Sequence, residues 1–178
     1  MITTGQKIAT QRVERSRLND TDLDNIKFGR VFSDHMVVMD YEDGAWKAPN
    51  IVPFGDLELS PAALVLHYSQ TIFEGLKAYR MPDGGVSIFR PQANIARMNR
   101  SAKRMCMPGI PEDIFLDAMT ELVRLDKNWL PNGDEASLYI RPFLFASDEY
   151  IGVKPSDNYK FIIFTCPVRA YYSEPVRV

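Results

Sequence analysis

The sequence predicts an α+β protein, an open and mainly antiparallel sheet with helices packed on it. Turn signals early in the chain, Asp43-Gly44 and Pro82-Asp83-Gly84-Gly85, sit between short apolar runs and mark hairpins. Two consecutive stretches between Pro91 and Trp129 carry apolar residues at the 3.6-residue period, and apolar strand-like runs follow them. Strands, then helices, then strands favour segregated elements over alternating βαβ units.

The size and charge leave few other classes. With 178 residues, 46% hydrophobic and 25% charged, the chain supports one domain with a substantial core. A formal charge of -2 and a pI near 5.7 offer no electrostatic footprint for nucleic acid. Cys106 and Cys166 form no Cys-x-x-Cys pair and read as reduced thiols, and the two histidines add no metal-ligand spacing. No apolar signal core opens the chain and no run approaches the ~20 apolar residues of a membrane span, so the expectation is a soluble, cytoplasmic protein.

In order, residues 1–27 are polar and aperiodic and read as a loosely attached N-terminal arm. His35 to Tyr41 predicts a strand, and Ala45 to Phe54 its returning partner, an edge strand because Pro49 and Pro53 interrupt it. Leu57 to Leu66 predicts a helix, with Ser60 as N-cap and Pro61 at the first helical position. His67 to Arg80 passes from a helical or turn segment into a strand over Glu74 to Arg80, with Gly75 near the junction, where glycine permits a turn or a close approach. Val86 to Phe89 completes a hairpin. Pro91 starts a helix whose Ile95, Met98, Ala102 and Met105 face the core, while Arg97, Arg100, Lys103 and Arg104 form a solvated face. A second helix begins at Pro111 and buries Ile114, Phe115, Ala118, Met119, Leu122, Val123 and Trp129. After a turn over Leu130 to Asp134, Ala136 to Phe145 is a strand with Tyr139, Arg141 and Phe143 on one face and Leu138, Ile140 and Leu144 on the other. Lys160 to Cys166 is the most apolar strand. Residues 170–178 read as the start of an interdomain connection, which predicts that residues 28–169 are the front domain of a longer protein.

The candidate chemistry is local. Arg90, between a strand and a proline-led helix, offers a planar fork of donors to a phosphate or carboxylate, or is a surface residue. Tyr139 and Arg141 point to one side of a strand, and Arg141 is either half of a structural ion pair or an anchor for an anionic ligand. Phe28, Tyr68, Phe73 and Tyr171 supply rings and hydroxyls for an apolar pocket, although each ring taken singly suits a core. His67 reads as a structural hydrogen-bonding residue and Glu74 as half of a salt bridge. No Ser-His-Asp order, phosphate loop or dinucleotide fingerprint is present.

The ordered set of motifs His67-Tyr68-Ser69, Phe73-Glu74-Gly75-Leu76-Lys77-Ala78-Tyr79, Phe89-Arg90-Pro91 with Asn94 and Arg97-Met98, and Ser137-Leu138-Tyr139-Ile140-Arg141-Pro142 closely resembles the branched-chain amino-acid aminotransferases. The resemblance runs from about Phe28 to Tyr171. It implies the small domain of a fold-type IV, pyridoxal 5'-phosphate-dependent enzyme that exchanges the amino group of leucine, isoleucine or valine with 2-oxoglutarate. It also implies that Arg90 contacts the cofactor phosphate and that Phe28, Tyr68, Phe73, Tyr139, Arg141 and Tyr171 surround the substrate. Ile151 and Val153 match a loop that reaches the neighbouring subunit's site in a homodimer. The Schiff-base lysine of the family is expected beyond Val178, in a large C-terminal domain. None of Lys77, Lys103, Lys127, Lys154 and Lys160 stands where the motif places it, so this segment alone holds no catalytic residue and is expected to be inactive. The alternatives are a D-amino-acid aminotransferase or aminodeoxychorismate lyase of the same fold, which the opening motif and Tyr139-x-Arg141 disfavour, and a non-catalytic ligand-binding module.

Overall fold

The computed structural model describes residues 8–133 and 135–169. Among these residues, nine strands and three α-helices follow one another in the α+β order, β1 (Ala9–Thr10), β2 (His35–Glu42), β3 (Ala45–Trp46), β4 (Asn50–Pro53), α1 (Leu64–Tyr68), β5 (Thr71–Phe73), β6 (Leu76–Arg80), β7 (Val86–Ile88), α2 (Pro91–Arg104), α3 (Glu112–Leu125), β8 (Ser137–Ala146) and β9 (Tyr159–Val168). The sheet runs β1-β4-β2-β9-β8-β6-β7, with β3 on β2 and β5 on β8. Among these pairings β1–β4 is parallel and the rest are antiparallel.

Strands β8 and β9 form the spine, ten residues each, paired from Ser137↔Val168 to Ala146↔Tyr159. The pleat turns their successive side chains to opposite faces of the sheet. Leu138, Ile140 and Leu144 point into the main core with Val37, Met39, Phe161 and Ile163, all at most 1% exposed. Onto this face α2 lays Ile95, Met98 and Ala102, and α3 lays Phe115, Met119 and Leu122. A smaller cluster, Met36, Phe145 and Ile162, is covered on its side by Leu57, Leu59 and Val65.

Pro142 explains a break in the neighbouring strand. β5 and β6 keep one continuous register against β8, from Phe73↔Phe143 to Leu76↔Ile140. Opposite the gap, the Pro142 carbonyl accepts from the Glu74 N–H at 2.9 Å, but proline has no N–H to return, so the ladder is interrupted at Glu74-Gly75.

Several expectations are corrected. The arm is not loose over its described part: β1 extends the sheet beyond β4, which is therefore not the edge. Ser16 Oγ donates to Asp34 at 2.5 Å, the Arg17 N–H donates to the same carboxylate at 2.9 Å, and the Val13 N–H donates to His35 Nε2 at 3.2 Å. His35 Nδ1 then faces Asp126 at 2.7 Å, and Trp129 Nε1 donates to Asp34 at 2.9 Å. These are polar anchors, which leave no hydrophobic period in the sequence. The helix expected over Leu57 to Leu66 is the shorter α1, because Ser60 Oγ caps a local turn at Ala62 and the Leu64 N–H donates to the Asp148 carbonyl from a distant loop. Met105 caps α2 and is 39% exposed rather than buried. Trp129 is buried but belongs to a 3-10 turn, Lys127–Trp129, after α3 has ended. The expected turn from Leu130 ends at Asp134, and the expected connection covers 170–178; both Asp134 and 170–178 lie outside the described residues.

Candidate functional site

The sheet face turned away from α2 and α3 carries a cleft of about 350 Å³. Phe73 from β5, Tyr139, Arg141 and Phe143 from β8, and Phe164 and Cys166 from β9 form its floor, while Phe28, Gly29 and Phe32 close one side. Among the described residues its lining is mostly aromatic with a single cation. The Arg141 guanidinium lies 4.3 Å from the Phe73 ring centroid and 5.4 Å from that of Tyr139. Phe28 meets Tyr139 edge to face at 5.4 Å.

The Arg141 side chain has no hydrogen bond or ion pair among the described residues, so the structural ion pair is not formed there. The rings hold the guanidinium by its face and leave its N–H edge free to meet a carboxylate. Burial pushes the neighbouring Cys166 thiol up to about 11, against the lowering effects of the Gly29 backbone and Arg141. Cys166 is therefore a neutral part of the wall.

Glu74 sits behind the cleft. Arg97 Nε and Nη2 donate to its two oxygens at 2.6 Å each, and Asn94 Nδ2 donates at 2.9 Å. Burial raises its carboxyl pKa, but the bonds from Arg97 and Asn94 and the Arg97 charge outweigh that, and the net shift is downward. This is the salt bridge expected for Glu74. It also takes Arg97 out of the purely solvated set on α2.

Of the residues singled out in the sequence, the fold brings together Phe28, Phe73, Tyr139 and Arg141. Arg90 lies outside the cleft, exposed, in a left-handed conformation (φ 48°, ψ 50°) as the N-cap of α2. Tyr68 ends α1 and is 42% exposed; its hydroxyl does not line the cleft. Ile151 and Val153 stand out from the loop between β8 and β9, Val153 at 95% exposure. Tyr171 lies outside the described residues. Sequence reasoning missed Gly29, Phe32, Thr71, Phe143, Phe164 and Cys166 as lining. Phe143 carried a usable signal, because it shares a strand face with Tyr139 and Arg141; the others are placed by pairing between distant segments.

Among the described residues no cluster of His, Cys, Asp and Glu is arranged to hold a metal ion, and no helix is long and apolar enough to cross a membrane.

No family model matches the chain. Individual relatives do. Over 157 residues it is 48% identical to branched-chain-amino-acid aminotransferase 2 of Bacillus subtilis, covering 88% of this chain and 43% of that protein. Over 162 residues it is 49% identical to branched-chain-amino-acid transaminase 1 of the same organism, covering 88% and 46%. The chain is a homologue of the branched-chain aminotransferases. It spans less than half the length of these curated relatives. The fold agrees: the crystal structure of the Escherichia coli branched-chain amino acid aminotransferase superposes with a TM-score of 0.56 at 27% identity, over 73% of this chain and 40% of that one.

Proposed function

We propose that the intact protein exchanges the amino group between leucine, isoleucine or valine and 2-oxoglutarate with pyridoxal 5'-phosphate, and that this chain is its N-terminal small domain. The observation that carries the reading is the cleft, an aromatic wall around one cation that has no hydrogen bond or ion pair among the described residues, in a chain nearly half identical to two branched-chain transaminases. Aromatic and apolar walls suit an aliphatic side chain, and the free edge of Arg141 suits the carboxylate of an amino or oxo acid.

The residues present fit the cofactor. The Arg90 side chain has no hydrogen bond or ion pair among the described residues, and the first turn of α2 holds no acidic side chain, so guanidinium and helix dipole both favour a phosphate. When bound, pyridoxal phosphate supplies the electron sink that makes the substrate's α hydrogen acidic. Arg90 holds and orients the phosphate. Phe28, Phe73 and Tyr139 exclude water around the substrate side chain, and Arg141 fixes its carboxylate. The resemblance also assigns to the substrate Tyr68, which stands outside the cleft, and Tyr171, and it assigns Ile151 and Val153 to the pocket of the partner in a cytoplasmic homodimer. The lysine that holds the cofactor is assigned to the C-terminal domain, so residues 1–178 alone are inactive.

The test is glutamate formation from 2-oxoglutarate by the intact protein with leucine, isoleucine, valine and D-alanine in turn. Turnover of the three branched-chain substrates supports the reading; D-alanine turnover without leucine turnover overturns it. For the segment, a borohydride-reduced cofactor adduct on a lysine within residues 1–178, together with leucine turnover, overturns the assigned inactivity.

A further inference from the structure

We propose that Glu74 is a positioning residue that sets α2 against the cleft, so that Arg90 and the Phe73–Tyr139–Arg141 wall keep a fixed separation. The inference rests on the functional reading above and concerns how this chain's two halves of the site are held together.

Helix α2 meets the sheet mainly through Ile95, Met98 and Ala102. Such apolar contact is non-directional and does not by itself fix where a helix stops along its axis. Glu74 does fix it. This residue, 5% exposed, receives the bidentate fork of Arg97 and the amide of Asn94, two residues on one face of α2. Asn94 Nδ2 also lies 3.5 Å from the Gly75 carbonyl. On its other side the Glu74 N–H is bonded to the carbonyl of Pro142, the residue between Arg141 and Phe143. The immediate neighbours of Glu74 are Phe73, in the cleft floor, and Gly75, against which Tyr139 lies.

One carboxylate thus ties the strand break at the cleft to the helix that begins beside Arg90. Asn94 lies four residues after Arg90, about 6 Å along a helix axis. A slip of α2 by even one residue would carry Arg90 about 1.5 Å relative to Tyr139. Because Arg90 is placed on a non-reacting phosphate, such a slip weakens binding of cofactor and substrate more than the rate of the bound complex.

The experiment uses the intact protein and its Glu74→Gln and Arg97→Lys variants. Glu74→Gln keeps the shape and removes the charge; Arg97→Lys changes a side chain that is 60% exposed, keeps its charge and loses the fork, so it stays folded if Glu74→Gln does not. The apoproteins are titrated with pyridoxal 5'-phosphate by fluorescence, their melting temperatures are recorded, and KM and kcat for leucine are measured. The expected result is cofactor binding weakened about tenfold and leucine KM raised severalfold in both variants, with kcat within about threefold, the size of one lost charge-assisted hydrogen bond. Arg97→Lys is expected to melt near the wild-type temperature. Cofactor affinity and leucine KM within about twofold of wild type in Arg97→Lys, whatever Glu74→Gln does to melting, overturn the proposal, since the fork would then serve folding alone. Wild-type protein that neither binds the cofactor nor turns over leucine overturns the functional reading, and this inference with it.

Discussion

Tyr139 lies so close over Gly75 that a Cβ at position 75 would sit 2.2 Å from the Tyr139 hydroxyl oxygen and 3.0 Å from its Cζ. Glycine there is a requirement of the cleft, not of the backbone turn. Gly75→Ala forces the ring off its seat against Phe28 and Arg141, and packed interiors absorb such an overlap only by moving side chains. The expected cost is roughly 1–3 kcal/mol in urea denaturation. In the intact protein kcat/KM for leucine is expected to fall by about tenfold or more. Adding Tyr139→Phe removes the nearest clashing atom and recovers part of the stability but not the activity, which separates the overlap from the role of the ring.

The anchoring of the arm can be broken at Asp34. Its carboxylate, 5% exposed, accepts from Ser16 Oγ, the Arg17 N–H and the Trp129 indole. Asp34→Ala leaves these donors unpaired, at an expected loss of roughly 2–4 kcal/mol. The check is a lowered urea midpoint with new proteolytic cleavage between Arg12 and Arg30. Unchanged cleavage in that span would mean the arm is held by β1 and its apolar contacts.

The elements that were legible in the sequence are those whose cause is local. Asp43-Gly44 and the Pro82 to Gly85 turn fixed their hairpins, Pro91 fixed the start of α2, and strict alternation fixed the two faces of β8. Phe73, Tyr139 and Arg141, which line the cleft, each stand in a motif or on a readable strand face, whereas Phe28 was named only as a ring and by the resemblance. What was not legible depends on distant partners. Phe164 and Cys166 reach the cleft only through the β8–β9 register, and β9 is buried on both faces, so its sequence shows no alternation to read. The arm is held by polar atoms, and α1 is cut short by the Asp148 carbonyl; neither leaves a periodic signal.

The two thiols should differ sharply. Cys106 is exposed, whereas Cys166 is buried with its pKa raised to about 11. At pH 7.5 roughly one Cys166 in a few thousand is thiolate, and it is the thiolate that reacts. A disulfide reagent is expected to titrate one thiol quickly in the folded chain and the second only on addition of denaturant. Two fast thiols would mean that the floor of the cleft opens readily.

Acid stability follows from two buried carboxyls. Burial raises the pKa of Glu74 and of Asp34, but Arg97 and Asn94 bonds for the first, and Ser16, Trp129 and Arg17 bonds for the second, bring both net shifts downward. A group with a depressed folded pKa binds its proton more weakly when folded than when unfolded. Its contribution is therefore complete above the unfolded value, about 4 for these residues, and is lost as pH falls through the lower folded value. Urea midpoints are expected to hold between pH 7 and 5 as far as these two groups decide them, and to drop below pH 4. A Glu74→Gln, Asp34→Asn double variant is expected to be less stable at pH 7 yet to show a shallower fall in acid, because the unfolded chain no longer has those two protons to gain. An acid fall as steep as that of the wild type would assign the loss to other carboxylates, such as Glu121, whose pKa is lowered by Arg124.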